Sequence, residues 1–257
     1  MAPPYTTIKD FTPVSSAPPP SVPASVRVLL VEDDELIRHS FATSLARYGY
    51  TVTAAADGLE GLELFRAAEA DTPFDLLLLD VMLPGLDGIG LCRRVRESSL
   101  VSIIMMSARG DGLDVVAGLE AGADDYIVKP VETGVLVARI RSVLRRADWK
   151  ATSGLHTAQP AANELLIFGD LTVDTVGMVV TLGGRPVALT PTELKLMLEF
   201  AAHPEIVLAR HTLLRNVWDH GWEADTRLVD LAVQRLRKKI GPDRIETVRG
   251  FGYKLRR

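Results

Sequence analysis

Charged residues directly follow three short apolar segments in the first half of the chain. The segments and the residues after them are 26–31 with Glu32 and Asp33, 76–79 with Asp80, and 126–128 with Lys129. If the segments are strands of one parallel sheet, their carboxyl ends share an edge, and the four side chains converge there. Crowded carboxylates need a cation to stay ionised, and oxygen ligands without Cys or His favour Mg²⁺ over zinc.

A lysine and a hydroxyl complete the chemistry that this edge offers. Lys129 can neutralise a phosphoryl group beside the metal, and Ser107, which ends a further apolar segment, can donate a hydrogen bond to a phosphate oxygen. With an aspartate as nucleophile, these are the parts of a phosphoryl-transfer site. Any single acidic residue here is also explained as a helix cap, which is the interpretation that we favour for Asp34.

Residues 26–146 alternate between strand and helix patterns. The predicted strands are 26–31, 51–55, 76–79, 101–106 and 126–128, and the predicted helices are 34–48, 59–68, 89–97, 113–121 and 135–146. Continuous apolar runs are typical of strands buried on both faces. The alternation predicts an α/β domain with a five-stranded parallel sheet, doubly wound and flavodoxin-like.

Two segments without hydrophobic periodicity separate the predicted domains from the N-terminus and from each other. Residues 1–25 contain seven prolines and predict a disordered tail, and residues 147–163 predict a flexible linker. Residues 164–257 begin with short alternating segments, continue through helical stretches at 192–202, 210–218 and 226–240, and end in a hairpin at 246–255. This order predicts a second, α+β domain.

Positive charge is concentrated at the end of the chain. The net charge of the whole sequence is −4, but residues 227–257 hold 10 basic and 3 acidic groups, which indicates a nucleic-acid partner. In the helix at 226–240, the apolar face holds Val229, Val233, Leu236 and Ile240, and the opposite side holds Arg227, Leu231, Gln234 and Lys238, with Arg235 beside them. Such a face can bind phosphates and base edges in a major groove. A helix face that is simply exposed to solvent can show the same pattern of charged and polar residues.

Four motifs in the first domain resemble a two-component receiver domain over residues 26–146. They are VEDDELIR at 31–38, LLDVMLPGLDG at 78–88, MMSA at 105–108 and GLEAGADDYIVKP at 118–130. The resemblance implies that a sensor histidine kinase phosphorylates Asp80. It implies Mg²⁺ ligands at Glu32, Asp33, Asp80 and the backbone carbonyl of Met82. It also implies switch roles for Ser107, Lys129 and Tyr126, whose ring turns from exposed to buried on phosphorylation.

Three motifs in the second domain resemble the winged-helix output domain of OmpR/PhoB-type response regulators. They are LTPTELKLMLEF at 189–200, TRLVDLAVQRLRKKIG at 226–241 and TVRGFGYKL at 247–255. The resemblance implies that the helix at 226–240 reads the major groove and that the terminal hairpin contacts the minor groove. The candidate DNA-binding residues are Arg227, Gln234, Arg235, Arg237, Lys238, Thr247 and Arg249.

The resemblance also implies a homodimer when the receiver is phosphorylated, through its fourth helix, fifth strand and fifth helix. Glu120 with Arg141, and Asp125 with Arg139, match two of the family's cross-subunit ion pairs. Val115 and Val135 replace a third pair. Their replacement together predicts an apolar contact across the interface, unless both valines pack within their own subunit.

These inferences define the expected partners and exclude some classes of protein. The partners are the sensor histidine kinase, double-stranded promoter DNA, a second copy of the chain and RNA polymerase. No segment approaches the roughly 18 apolar residues of a membrane span, and the single cysteine, Cys92, suits a cytoplasmic protein.

Two alternatives stay open beside this interpretation. One is a phosphatase with an aspartate nucleophile, which Met82 disfavours because that chemistry usually has an acid two residues after the nucleophile. The other is a phosphorylated interaction module that does not bind DNA. In the favoured interpretation the protein is not an enzyme, apart from a self-catalysed phosphoryl transfer to Asp80.

Overall fold

The computed structural model describes residues 25–69, 71–108, 112–152, 165–218 and 226–257. Most of the predicted tail and linker, and the turn at 219–225, lie outside the described residues. Within these ranges the chain forms two domains, a receiver-like α/β domain and an α+β domain, in the order that the sequence predicts.

The first domain is built around a parallel sheet of five strands in the order β2-β1-β3-β4-β5. Its strands are β1 (Arg27–Val31), β2 (Thr51–Ala55), β3 (Leu76–Asp80), β4 (Ser102–Ser107) and β5 (Asp125–Val128). Its helices are α1 (Glu35–Arg47), α2 (Gly58–Glu69), α3 (Gly88–Arg96), α4 (Gly112–Ala121) and α5 (Thr133–Thr152). The doubly wound α/β fold is therefore confirmed.

Helices cover both faces of this sheet, and the strand sequences show why. Alternate residues of one strand face opposite sides, so a strand buried on both sides must be apolar throughout. In β3, Leu77 and Leu79 join one core cluster, and Leu76 and Leu78 join the other. Only Asp80 ends that strand with a charge, at the carboxyl edge of the sheet.

The second domain begins with an antiparallel sheet of four strands in sequence order and ends with a three-stranded sheet. Its strands are β6 (Leu165–Phe168), β7 (Leu171–Asp174), β8 (Val179–Leu182), β9 (Arg185–Pro186), β10 (Leu208–Ala209), β11 (Ile245–Val248) and β12 (Gly252–Leu255). Its helices are α6 (Pro191–Ala202), α7 (Arg210–Trp218) and α8 (Arg227–Ile240). Thr190 and Glu193 form a capping box at the start of α6.

One boundary in the first domain differs from the prediction by more than two residues. The fifth helix continues to Thr152, whereas the sequence pattern predicted its end at Arg146 and a linker from residue 147. Alanine and lysine at 147–151 favour the helical state on propensity alone, and Gly154 is the first residue that opposes it. The first six residues of the predicted linker thus belong to the helix.

The two domains are packed against each other. Helix α4 contacts α8, and α5 contacts α6. One core cluster runs from buried receiver residues such as Leu119 and Ala123 into buried residues of the second domain such as Leu228 and Leu231. The contact between α4 and α8 determines which side chains of α8 are buried and which are exposed.

Candidate functional site

Three carboxylates and a lysine meet at the carboxyl edge of the parallel sheet. Ligand atoms of Glu32, Asp33 and Asp80 lie within 4.8 Å of one another. Lys129 Nζ lies 2.6 Å from Asp80 Oδ2 and 2.7 Å from Glu32 Oε2. The site opens into a cavity of about 810 Å³ that Asp33 and Pro130 also line, so a phosphoryl donor can approach Asp80 from solvent.

The electrostatics of this cluster favour a bound cation. Glu32 and Asp80 are buried, whereas Asp33 is exposed. The pKa of Glu32 is raised from 4.5 to about 7, mainly by burial and also by the Asp80 carboxylate, which together outweigh the opposing effect of Lys129. Three carboxylates that face a single ammonium group fit a hard divalent cation, because such a cation would lower the cost of ionising Glu32.

The loop that carries the acidic pair is held from behind by Arg38. Its Nη1 donates hydrogen bonds to the backbone carbonyls of Glu32, at 2.7 Å, and Asp33, at 2.9 Å. Asp34 caps α1 through the amide of Ile37, as the sequence predicts. These bonds fix the β1–α1 turn so that both carboxylates project over the end of the sheet.

A glycine allows α3 to begin against the Asp80 backbone. A Cβ atom on Gly88 would lie 1.9 Å from the carbonyl oxygen of Asp80, which no side chain tolerates. The amide of Met82 donates to Asp80 Oδ1 at 3.3 Å, so Asp80 is held through both carboxylate oxygens. The role of the Met82 carbonyl as a metal ligand stays a prediction.

The two other switch positions lie on β4 and β5. Ser107 ends β4 and is fully buried, and its carbonyl accepts the amide of Lys129 at 2.8 Å. Tyr126 occupies the buried position, with its ring under α4, where a Cβ on Gly118 would lie 3.5 Å from it. The predicted movement of this ring stays a prediction.

Helix α8 has two buried faces, which corrects the sequence interpretation. The predicted apolar face, which includes Val229 and Leu236, packs into its own domain. Leu231 was predicted to lie on the exposed side, but it is buried, as are Leu228 and Ala232. At 100° per residue these three lie about a third of a turn from the first face, on the side where α4 packs.

The remaining surface of α8 carries its exposed polar groups. Gln234 and Lys238 are exposed and Arg227 is partly exposed. These three fall within a narrow arc, which is the geometry that major-groove contact requires. The prediction that they face DNA agrees with their exposure and stays a prediction.

Arg235 does not join that exposed arc. Its Nη1 donates to the carbonyls of Leu119, at 2.8 Å, and Ala123, at 2.9 Å, in the receiver. Only 11% of its side chain is exposed. In this arrangement of the domains, Arg235 cannot contact a base, which contradicts the sequence prediction for this state of the protein.

The terminal hairpin, β11 and β12, keeps its predicted position beside α8. Arg249 and Thr247 are exposed, near the turn and on β11. Arg237 instead binds its own domain, since its guanidinium donates to the Ile245 carbonyl and to Thr247 Oγ1 and lies over the Tyr253 ring. Arg237 therefore positions the hairpin.

Comparisons with known proteins agree with both halves of this geometry. The response regulator receiver domain profile matches residues 28–141, and the profile described as transcriptional regulatory protein, C terminal, matches residues 184–255. The transcriptional regulatory protein CseB of Streptomyces coelicolor is 61% identical over 232 residues, which cover 89% of this chain and 97% of that protein.

The chain belongs to the OmpR/PhoB-type response regulators.

More distant relatives carry the same two domains. The DNA-binding response regulator MtrA of Mycobacterium tuberculosis is 41% identical over 233 residues, which cover 89% of this chain and 96% of that one. A solved structure of a RitR mutant is 27% identical with a TM-score of 0.65, and the match covers 90% of this chain and 99% of that one. CseB is a transcriptional regulatory protein and MtrA is a DNA-binding response regulator, so the phosphatase alternative is set aside.

The predicted dimer residues of this response regulator occupy mixed environments. Asp125 is buried and pairs with Arg139 of the same chain at 3.5 Å. Val115 is buried, while Val135 is 46% exposed. Glu120 and Arg141 are exposed. Contact across a dimer stays a prediction for these residues, and Val115 is not accessible in the arrangement described here.

Sequence reasoning missed four residues that shape the regulator's sites. They are Arg38 behind the acidic loop, and Asp124, Ser142 and Trp218 between the domains. Arg38 follows Asp34 by four residues, so both lie on the same side of the first turn of α1. This spacing could have indicated that Arg38 lies near the acidic loop. Trp218 is a large apolar residue at the end of a helix, and the sequence around it does not indicate that it packs against the other domain.

Within the parts of the chain that the structure describes, the regulator has no helix long and apolar enough to cross a bilayer.

Proposed function

We propose that Asp80 is the phosphoacceptor of this response regulator and that a sensor histidine kinase supplies the phosphoryl group. The observation that carries the proposal is the position of Lys129 Nζ, 2.6 Å from Asp80 Oδ2 at an edge shared with Glu32 and Asp33. A nucleophilic carboxylate, a buried cation and further acidic ligands are what an in-line transfer to aspartate needs.

The proposed transfer uses these positions. A carboxylate oxygen of Asp80 bonds to phosphorus as the bond from phosphorus to the histidine nitrogen breaks, and that nitrogen leaves with the electron pair. Lys129 then exchanges its bond with Asp80 for one with a phosphoryl oxygen, and Ser107 donates to another. Glu32, Asp33 and Asp80 would hold Mg²⁺, which would neutralise negative charge at the site when bound. The chain catalyses only its own modification.

The output of the switch is promoter binding in the cytoplasm. We propose that phosphorylated chains dimerise through the α4–β5–α5 face and bind double-stranded DNA through α8 and the β11–β12 hairpin. Gln234 and Lys238 on α8 and Arg249 on the hairpin are the exposed groups that support this. RNA polymerase is the further partner that we propose at the promoter.

Labelled acetyl phosphate with Mg²⁺ tests the phosphosite on the full chain. The wild type should incorporate phosphate, and Asp80→Asn should not, since the amide lacks the nucleophilic oxygen. Asp33→Ala should also fail, through loss of a metal ligand. Asp71→Asn, on an exposed loop, is the matched control and should be labelled like the wild type. Wild-type labelling of Asp80→Asn would assign the phosphate to another residue.

Filter binding on promoter fragments at several salt concentrations tests the output. Binding by the phosphorylated chain should weaken steeply as salt rises, because contacts with phosphates release counterions. An interaction module without DNA binding would show no retention at any salt concentration.

A further inference from the structure

Most polar side chains of α8 are already bound within the protein. The residues of this helix with hydrogen bonds to other elements are Asp230, Arg235, Arg237 and Lys239. Gln234 and Lys238 are the two exposed residues of the helix, and within the described part of the chain neither side chain has a hydrogen-bond partner. Helix α8 therefore offers two exposed side chains whose hydrogen-bonding groups are available to a ligand.

The helix is tied to the terminal hairpin on both sides of Gln234. Four residues before it, Asp230 accepts a hydrogen bond from the Tyr253 hydroxyl of β12 at 2.6 Å. Three residues after it, Arg237 donates to Thr247 Oγ1 of β11 at 2.8 Å. These two contacts hold α8 against rotation about its own axis relative to the hairpin. The orientation of the Gln234 amide relative to the hairpin is therefore fixed before DNA binds.

Arg210, the first residue of α7, joins a third element to this frame. Its Nε donates to Asp230 Oδ1 at 2.7 Å, and its guanidinium lies over the Tyr253 ring, 4.8 Å from the centroid. Tyr253 is itself buried. Helices α7 and α8 and strand β12 thus meet in one polar contact, which supports α8 one turn before Gln234.

The two available side chains differ in what they can bind. The Lys238 ammonium group has donors only and a positive charge, so DNA phosphates attract it whatever the base sequence. The Gln234 amide is neutral and offers an acceptor, Oε1, beside the donors on Nε2. Adenine presents a donor, N6–H, next to an acceptor, N7, at its major-groove edge, so one amide can bind both groups. At guanine both groups are acceptors, and Oε1 would stay unpaired.

We propose that Gln234 recognises an adenine in the major groove and determines the base specificity of α8, whereas Lys238 contributes affinity without sequence preference. Under the proposed DNA-binding role of α8, on which this inference rests, each bound chain requires an adenine at one position of its site. Gln234 Nε2 donates to adenine N7, and Oε1 accepts from the N6 amino group. A change of Gln234 therefore alters the preferred base at that position and leaves the rest of the site unchanged.

Selection from a pool of duplexes with a random core measures the base preference of the full chain, treated with acetyl phosphate and Mg²⁺. The wild type should enrich adenine at the position that Gln234 contacts. Gln234→Arg should enrich guanine there, since a guanidinium group binds guanine O6 and N7, and Gln234→Ala should show no preference there. Lys238→Ala, which truncates the other exposed residue of α8, is the matched control and should keep the wild-type preference.

Anisotropy on the selected duplex tests the contact at the level of single atoms. Replacement of the adenine with 7-deazaadenine removes the N7 acceptor and should weaken wild-type binding about fivefold, as for part of a bidentate contact. The same replacement should not change the affinity of Gln234→Ala. Gln234→Ala should keep the wild-type dependence of affinity on salt, because an amide releases no counterions, whereas Lys238→Ala should show a shallower dependence.

The remaining outcomes each contradict one part of this assignment. A base preference in Gln234→Arg identical to that of the wild type shows that Gln234 contacts no base. A wild-type preference for another base, at the position that Gln234→Ala relaxes, overturns the choice of adenine. An equal loss of affinity for all duplexes in Gln234→Ala, with a shallower salt dependence, indicates a phosphate contact instead.

Two results with the wild type separate this inference from the proposed function. A wild-type chain that retains duplex DNA without enriching any sequence overturns the role of Gln234 and leaves DNA binding in place. A phosphorylated wild-type chain that retains no duplex even at low salt contradicts the proposed function itself.

Discussion

Lys129 Nζ lies 2.6 Å from Asp80 Oδ2, so the ammonium group that should stabilise an incoming phosphoryl group already binds the carboxylate that is proposed to attack it. Glu32 holds the same ammonium group at 2.7 Å. Burial lowers the pKa of Lys129, but its hydrogen bonds with Asp80 and Glu32 outweigh burial and raise it overall. Lys129 therefore stays charged, and the proposed phosphorylation would only have to exchange one of its acidic partners for a phosphoryl oxygen.

The metal-free protein should lose stability as the pH rises from 4.5 towards 7. Burial raises the pKa of Glu32 to about 7 in the folded state, against an ordinary value of 4.5 for a glutamate side chain. The folded state thus binds this proton more tightly than the unfolded chain. Its contribution is complete below pH 4.5 and disappears as the pH passes 7.

Urea unfolding in EDTA across this pH range measures the effect. In Glu32→Gln the free energy of unfolding should depend less on pH than in the wild type. Glu63→Gln, at an exposed position on α2, should keep the wild-type dependence. An equally steep dependence in Glu32→Gln would assign the effect to other groups.

Arg38→Gln should weaken Mg²⁺ binding although it removes no ligand. Arg38 holds the backbone carbonyls of Glu32 and Asp33, so its loss leaves both carboxylates less well oriented. Groups that orient metal ligands typically contribute 10–100-fold in affinity, and we expect about tenfold here. Calorimetric titration with MgCl₂ measures it, with Arg47→Gln at the exposed end of α1 as control. Equal Mg²⁺ affinities in the two variants would show that Arg38 does not orient the metal ligands.

Neighbouring lysines on α8 should behave differently. Lys238 is exposed, and Lys238→Gln should reduce the salt slope of DNA binding by about 0.9, the contribution of one phosphate contact. Lys239 Nζ binds buried Glu193 at 2.6 Å, and Lys239→Gln should lower the free energy of unfolding by about 2 kcal/mol, as for a hydrogen bond to a charged group. Salt titration of DNA binding and urea denaturation measure the two effects. A lower salt slope in Lys239→Gln, together with lower stability in Lys238→Gln, would contradict the orientation of α8.

Arg249→Ala should weaken binding mainly to duplexes with a narrow, A·T-rich minor groove beside the site. Arg249 is exposed on the β11–β12 hairpin, and narrow grooves attract guanidinium groups through their negative potential. Anisotropy on two duplexes that differ only in this flank provides the comparison. An equal loss on A·T-rich and G·C-rich flanks points to a phosphate contact.

Val135→Glu should weaken the phosphorylated dimer by about fivefold, equivalent to about 1 kcal/mol of buried apolar area. Val135 is 46% exposed, so the change should leave monomer stability intact. Sedimentation of the phosphorylated full chain measures the effect, and Val176→Glu, on an exposed residue of the second domain, is the control. Unchanged dimerisation in Val135→Glu means that this residue lies outside the interface.

Local pattern was enough to predict the receiver. The strand Leu76–Asp80 was predicted at 76–79, because burial on both faces leaves a continuous apolar run in the sequence. The cap at Asp34 was predicted at its observed position, because capping also leaves a short-range mark. The convergence of Asp80 and Lys129 follows from parallel topology alone.

The contact between domains could not be predicted in the same way. Leu231 was assigned to the exposed face because a helix packed in one domain has one apolar face, and its burial depends on a second domain. The role of Arg235 depends on which carbonyls lie opposite it, 112 and 116 residues away in the chain. Periodicity carries no information about such distant partners.

The bonds from Arg235 to the carbonyls at the end of α4 have a consequence for the direction of signalling. Coupling free energy between two binding events is reciprocal, so under the proposed function any factor by which separation of α8 from α4 favours DNA also favours that separation when DNA is bound. Promoter DNA should thus act as an effector of the receiver as well as its target. A chain held at a strong site should offer its proposed dimer face, α4–β5–α5, to a second copy before any phosphoryl group arrives. Occupancy of one half-site should then recruit the other.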